Sequence, residues 1–199
     1  MFLSRVNVDW RWANDPYQLH RALWQLFPDR PQDKRDFLFR AEKGQASSGM
    51  QVLMQSACAP QSVKIASVLA TKAVDLRLPS GTPLLFRLRA NPIKTIKDKR
   101  ARLNAKGQIK SCRVPLVGEE ACIQWLLRKL GTAAALQSAR ITAEPTLLFN
   151  KKGVMGKIQT VLFEGELQIV DAEAFYLLLT QGIGPAKSLG CGLVSLARA

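Results

Sequence analysis

The chain is short of acid. Fifteen Asp and Glu face 29 Lys and Arg across 199 residues, a formal net charge of +14, and the pI is near 10.1. That imbalance favours a polyanionic partner, nucleic acid foremost; the plain alternative is a merely soluble basic protein. Histidine is scarcer still, with His20 alone, and the four cysteines at 58, 112, 122 and 191 never fall in a C-x-x-C spacing. A structural zinc site is therefore not expected. Scattered, unpaired cysteines suit a reducing cytosol. The opening Met-Phe-Leu-Ser-Arg-Val lacks the leading charge and long apolar core of a signal peptide. No apolar run approaches the ~18 residues of a membrane span. The expectation is a soluble cytoplasmic protein with no membrane partner.

Two further absences narrow the chemistry. The carboxylates form no cluster suited to two-metal phosphoryl transfer. The glycine-rich end, Gly-Ile-Gly-Pro-Ala-Lys-Ser-Leu-Gly-Cys-Gly at 182–192, is no nucleotide loop. A Walker A motif would need glycine where Gln181 and Ala186 stand, and Lys187 occupies the last position of a G-x-G-x-x-G. Neither a metal nor a small-molecule cofactor is expected.

What is present reads as a packed protein, 47% hydrophobic. Residues 2–8 alternate and predict a strand. Asn14 or Asp15 can cap a helix that Pro16 suits at its first position and Pro28 ends. At about 100° per residue, Leu19, Ala22, Leu23 and Leu26 gather on its core side. Tyr17 and His20, three apart, are neighbours on its surface, and with Arg21 they are expected together near solvent. Residues 36–42 and 50–56 predict a hairpin around Gly44–Gly49, residues 60–69 a weak helix, and 74–78 a strand. A second pass gives strand 84–90, a long polar stretch, helix 119–130, strands 140–149 and 157–167 joined at Asn150–Gly153, a helix capped by Asp171, and strand 190–196. Each pass has the order β-α-β-β-α-β, the ferredoxin-like pattern. The fold class expected is α+β, with two tandem ferredoxin-like (RRM-like) domains at 1–80 and 84–199.

Residues 84–115 hold ten Lys and Arg and one acid, Asp98. Few apolar residues interleave between Lys97 and Arg113, so much of the segment cannot belong to a core. A solvated loop is the plain alternative; phosphate contact through Lys94, Lys97, Lys99, Arg100, Arg102, Lys106, Lys110 and Arg113 accounts for the excess better. In the glycine-rich end, Gly184, Gly190 and Gly192 allow backbone amides to approach phosphate and Lys187 adds charge, although a tight helix-to-strand turn explains the glycines equally well. A lone histidine is more often structural than catalytic. Without metal ligands, however, nucleic-acid cleavage requires RNA, whose 2′-hydroxyl can attack the adjacent phosphate, and His20 alone has an ordinary pKa near neutrality.

The chain resembles the CasE-type CRISPR RNA-processing endoribonucleases of the RAMP superfamily, essentially from end to end. The resemblance lies in Tyr-Gln-Leu-His at 17–20, Leu-Trp-Gln-Leu-Phe-Pro at 23–28, Arg-Asp-Phe-Leu-Phe at 35–39 and Phe-Arg-Leu-Arg-Ala-Asn-Pro-Ile-Lys-Thr-Ile at 86–96. It continues in Cys-Arg-Val-Pro-Leu at 112–116, Gly-Lys-Ile-Gln-Thr-Val at 156–161 and the glycine-rich string at 181–193, the most specific of them. It implies tandem ferredoxin-like folds, CRISPR precursor RNA as substrate, and metal-independent cleavage at the 3′ base of the repeat hairpin. The products would be a 2′,3′-cyclic (or 3′) phosphate and a 5′-hydroxyl, with the RNA retained among the other Cascade subunits. It also implies catalysis by His20 with Tyr17, and leaves Arg21, Lys152 and Lys157 as candidates for contact with RNA and support of the transition state. The alternative is a non-cleaving RNA-binding or assembly module of the same fold, for which an RNP string would be expected and none is found.

Overall fold

The computed structural model describes residues 1–30, 35–98, 100–151 and 153–199. Two four-stranded antiparallel sheets organise them. The first contains β1 (Phe2–Val8), β2 (Phe37–Gln45), β3 (Gly49–Ser56) and β4 (Ala66–Ala73), in the spatial order β2-β3-β1-β4. Between β1 and β2 lie a short helix, α1 (Trp10–Ala13), and α2 (Pro16–Trp24). The second sheet contains β5 (Pro83–Ala90), then, after a hairpin of β6 (Ile93–Lys97) and β7 (Ser111–Pro115) and a helix α3 (Glu119–Leu130), β8 (Ala134–Ala143). A second hairpin, β9 (Leu147–Lys151) with β10 (Val154–Ile158), leads to β11 (Val161–Ile169), α4 (Ala172–Gln181) and β12 (Val194–Arg198). Its spatial order is β12-β5-β11-β8. Numbered within each sheet by appearance, both orders are 4-1-3-2, one read from each edge, which is the ferredoxin-like arrangement.

Local chemistry explains the helices. Asp171 caps α4 through Ala174 N (3.0 Å). The first turn of α3 carries Glu119 and Glu120 and its last turn Arg128 and Lys129, matching the helix dipole. The first core joins Val6 and Val8 of β1, Leu19, Ala22 and Leu23 of α2, Leu26, Phe37 and Phe39 of β2, and Val52 and Met54 of β3. The second is built on Leu88, Leu126, Phe163, Leu167, Phe175 and Leu179.

Three expectations need correction. The helix expected at 60–69 and the strand expected at 74–78 are replaced by one strand, β4, paired with β1. The chain reaches it by a loop, so the second helical position of the first unit is empty. The expected strands 140–149 and 157–167 are each interrupted: β8 and β11 form the ladder, and β9–β10 is a separate hairpin. Pro145, which has no amide hydrogen, lies at the break. The last strand begins at Val194, because 182–193 is taken up by the glycine-rich loop.

The two units are joined through β2. Phe37 and Phe39 point into the first core, and the alternate residues Leu38 and Arg40 face the second unit. Leu38 lies against Gly182. Arg40, 4% exposed, donates to Arg87 O (3.1 Å) and pairs with Glu42 (2.7 Å). Arg89 of β5 donates to Ala41 O (2.8 Å) and pairs with Glu144 (2.6 Å). No helix among the described residues is long and apolar enough to cross a membrane.

Candidate nucleic-acid-cleaving site

The site grows from the start of α2. Asp15 is the cap: one carboxylate oxygen accepts from Tyr17 N (2.7 Å) and Gln18 N (3.2 Å), and Pro16 fills the first position. Its other oxygen accepts from Asn150 N (2.8 Å), which fastens the β9–β10 hairpin to the helix start. With the leucines buried, Tyr17 and His20 come out half-buried and Arg21 exposed. The expectation of a solvent-facing histidine is thus corrected. The His20 ring lies 5.7 Å from the Phe37 ring and 6.2 Å from that of Phe39, nearly parallel to the latter, with Trp24 edge-on at 6.5 Å. Its Nε2 is buried and has no hydrogen-bond partner among the described residues. Burial first, and the nearby Arg35 charge second, push its pKa down to about 4, so at neutral pH the imidazole is uncharged.

The glycine-rich loop closes over α2. It starts at Gly182, whose φ of +76° and contact with Leu38 both require glycine: a Cβ there would lie 2.8 Å from the leucine methyls. It ends at Gly192, with φ +93°, where a Cβ would meet Ile183 O at 2.9 Å. Between them a 3-10 turn, Lys187–Leu189, packs against α2 and β2. Lys187 is half-buried, and its pKa is lowered by desolvation, then by the charges of Arg35 and Lys129. His20, Arg35 and Lys187 therefore form one group, drawn from the helix, the lead into β2 and the loop. Alongside the loop lies an open cleft of about 730 Å³ lined by Arg113, Lys129, Gly184 and Lys187 among others. An adjoining cleft of about 540 Å³ has Arg113, Lys157, Pro185 and Ala186 on its walls. These clefts bring Arg113, Lys157, Gly184 and Lys187 together around one loop.

Other sequence-predicted residues are distributed differently. Gly190 and Gly192 are buried, and their amides donate inside the protein, to Lys187 O (3.4 Å) and Arg89 O (2.9 Å). Their visible role is packing, not an open amide nest. Lys94, Lys97, Arg100, Arg102, Lys106 and Lys110 are exposed on the β6–β7 hairpin and its tip. Arg102 is held by Asp98 (2.5 Å), the one acid of the segment. Arg87 and Arg89, counted in the same basic run, are engaged by Glu164 (3.1 Å) and Glu144 (2.6 Å). Lys99 and Lys152 lie outside the described residues. Among the described residues no group of three or more His, Cys, Asp or Glu side chains could hold a metal ion. Sequence reasoning missed Arg35 and Lys129. The first was visible only as the residue before an alternating strand, the second only as a favourable charge at a helix end.

A family model described as CRISPR associated protein matches residues 1–198. The chain belongs to this family of CRISPR-associated proteins. Within it, the chain is 54% identical over 197 residues to the CRISPR system Cascade subunit CasE of Escherichia coli strain K12, with 99% of each chain covered. Among solved structures it is similar to the CRISPR-associated protein Cas6e of Escherichia coli K-12, at 52% identity and a TM-score of 0.88, covering 100% of both chains. It is also similar to Thermus thermophilus Cse3 bound to an RNA representing a pre-cleavage complex, at 28% identity and a TM-score of 0.74, covering 99% of this chain and 100% of that one. These family members share the tandem ferredoxin-like fold seen here.

Proposed function

We propose that the chain is a metal-independent endoribonuclease that cuts CRISPR precursor RNA at the 3′ base of the repeat hairpin. It leaves a 2′,3′-cyclic (or 3′) phosphate and a 5′-hydroxyl, and it keeps the processed RNA within a Cascade assembly in the cytoplasm. The observation that carries this reading is His20: a neutral imidazole on an aromatic floor, its Nε2 buried and without a partner among the described residues, on a helix packed against the 3-10 turn whose Lys187 lines a basic cleft. Buried side-chain nitrogens of structural residues are as a rule hydrogen-bonded. The similarity to a Cascade subunit and to an RNA-bound Cse3 supports the same substrate class.

In the reaction the 2′-oxygen forms a bond to phosphorus as the P–O5′ bond breaks. Neutral His20 takes the 2′-hydroxyl proton and the departing 5′ oxygen takes one up from solvent, so the cyclic phosphate forms without consuming water; a 3′-phosphate results only when one water then opens the ring. Tyr17, one turn earlier on α2, bonds the attacking oxygen or orients the imidazole. Arg21, Lys152, Lys157, Arg113 and Lys187 supply positive charge along the RNA path, and the exposed hairpin adds phosphate contacts. The test is a labelled repeat hairpin in EDTA, with and without 2′-deoxyribose at the nucleotide 5′ of the cut. Cleavage of the ribose substrate only is expected. A deoxy substrate cut at the normal rate would sink the internal-attack mechanism. Tight binding of the hairpin without cleavage would leave the binding-module reading in its place.

A further inference from the structure

We propose that Arg35 receives the scissile phosphate: its guanidinium grips the non-bridging oxygens beside His20 and stabilises the charge that gathers there in the transition state. The assignment rests on the endoribonuclease reading above and deepens it.

The geometry begins with the strand. The chain enters β2 through Arg35 and Asp36, so Arg35 stands two residues ahead of Phe37. The Phe37 and Phe39 rings are the floor under His20. Arg35 therefore leads directly into that floor, near enough for its charge to act on the imidazole. Asp36, the carboxylate next to it in sequence, is taken by Arg30 (2.5 Å). Arg35 itself is half-buried and has no hydrogen bond or ion pair with any described residue. A guanidinium half out of water and without an anion is costly to hold, and proteins normally pair it. Desolvation lowers its pKa, and its charge in turn depresses both His20 and Lys187. Among the described residues no carboxylate acts on any of the three. The arrangement is a positive cluster next to a base whose Nε2 has no partner among the described residues, which is what a phosphodiester undergoing 2′-hydroxyl attack requires.

The planar fork of arginine matches two phosphate oxygens, while Lys187 supplies a point charge from the 3-10 turn. As the P–O2′ bond forms and the P–O5′ bond breaks, negative charge on the non-bridging oxygens grows, so a fixed cation there binds the transition state better than the ground state. Arg35 exchanges no proton and stays cationic throughout. A bound phosphate also offsets the Arg35 charge felt by His20. The base is therefore least basic when no phosphate is bound and gains basicity when RNA is bound.

The experiment uses the full-length protein and the repeat hairpin. Single-turnover rates are measured for wild type, Arg35→Ala, Arg35→Gln and Arg35→Lys, with the Kd of the 2′-deoxy hairpin, the Tm and the pH–rate profile. Arg35→Ala should cut roughly 10²–10³-fold more slowly, as for loss of one transition-state donor, while Kd stays within a few-fold. Arg35→Gln, which keeps length and polarity, carries the same expectation should the alanine variant melt early. Arg35→Lys should recover part of the rate. Among the described residues, the charged or titratable groups around His20 are Tyr17 and Arg21 on its own helix, Arg35, and Lys187 on the 3-10 turn. Losing the Arg35 charge raises the His20 pKa, so the acid limb of the profile should move to higher pH. Arg35→Ala cutting within a few-fold of wild type overturns the assignment. So does an unmoved acid limb with Tm, Kd and rate falling in parallel, which is the signature of a structural residue. A wild type that leaves the hairpin intact overturns the endoribonuclease reading itself.

Discussion

Positive charge occurs in two settings in this protein. Around α2 it is half-buried: Arg35 and Lys187 have lost hydration, the Arg35 charge depresses Lys187, and the same charge acts on a histidine kept neutral. On the β6–β7 hairpin it is exposed, and Lys94, Lys97, Arg100, Lys106 and Lys110 stand in solvent. The desolvated set is fixed and close to a base, so it acts on charge as that charge changes during reaction. The hydrated set is screened by salt and acts on a polyanion as a whole. Buried charge should control rate, and exposed charge should control affinity.

The largest expected effect is His20→Ala, which should slow cleavage by roughly 10²–10⁴-fold, the usual worth of a positioned acid or base. The Kd of a 2′-deoxy hairpin should stay within a few-fold; parallel loss of binding, rate and Tm would return His20 to the core. Next is the joint between the units. Arg89→Ala strands Glu144 and removes the bond to Ala41 O. Calorimetry should find a loss on the order of 3 kcal/mol, and cleavage should fall more than affinity, because the loop and β2 are no longer held in register. Unchanged stability would mean that the units are held by their apolar contacts alone.

The third effect is in pH. His20 has a folded pKa of about 4 against roughly 6.5 when unfolded. Between those values the unfolded chain binds more protons, so folding stability falls as pH drops from about 6.5 towards 4 and the loss stops growing below that. His20→Ala should flatten this part of a Tm-against-pH curve. For cleavage, a base with this pKa stays active down to about pH 5, and an acid limb near 6.5 would show that Arg35 and burial do not act on it as described. The smallest effect is at the cap. Asp15→Ala should cost about 1 kcal/mol, with a small rate loss because Asn150 N loses its partner.

Much of this was legible in the sequence, and the gaps have physical causes. The α2 cap, its leucine face and the bounds of α3 follow from local chemistry: a carboxylate before proline, apolar residues at helical spacing, and a glycine after Leu130. β4 was not legible. It is an edge strand with Ala66 buried but Leu69 56% exposed, so its apolar residues show no alternation that could exclude a helix. The histidine was found for its scarcity, but its environment was misjudged, since the aromatic floor comes from β2, distant in sequence. Arg35 stands in the Arg-Asp-Phe-Leu-Phe string at 35–39, but its role has no local signal: its meaning depends on which strand passes beneath α2. The basic run was overcounted for the same reason, because the acids that engage Arg87 and Arg89 lie on β11 and beyond β8.

The separation of rate from affinity is tested most directly by neutralising Lys94, Lys97, Arg100 and Lys110 together and measuring single-turnover cleavage as protein concentration is raised to saturation. The half-saturating concentration should rise, and the slope of log K against log salt should flatten by about one for each phosphate that the hairpin no longer neutralises. At saturation the rate constant should equal that of the wild type. A rate constant that stays depressed at saturation would contradict the account, because the exposed hairpin would then be acting on the transition state.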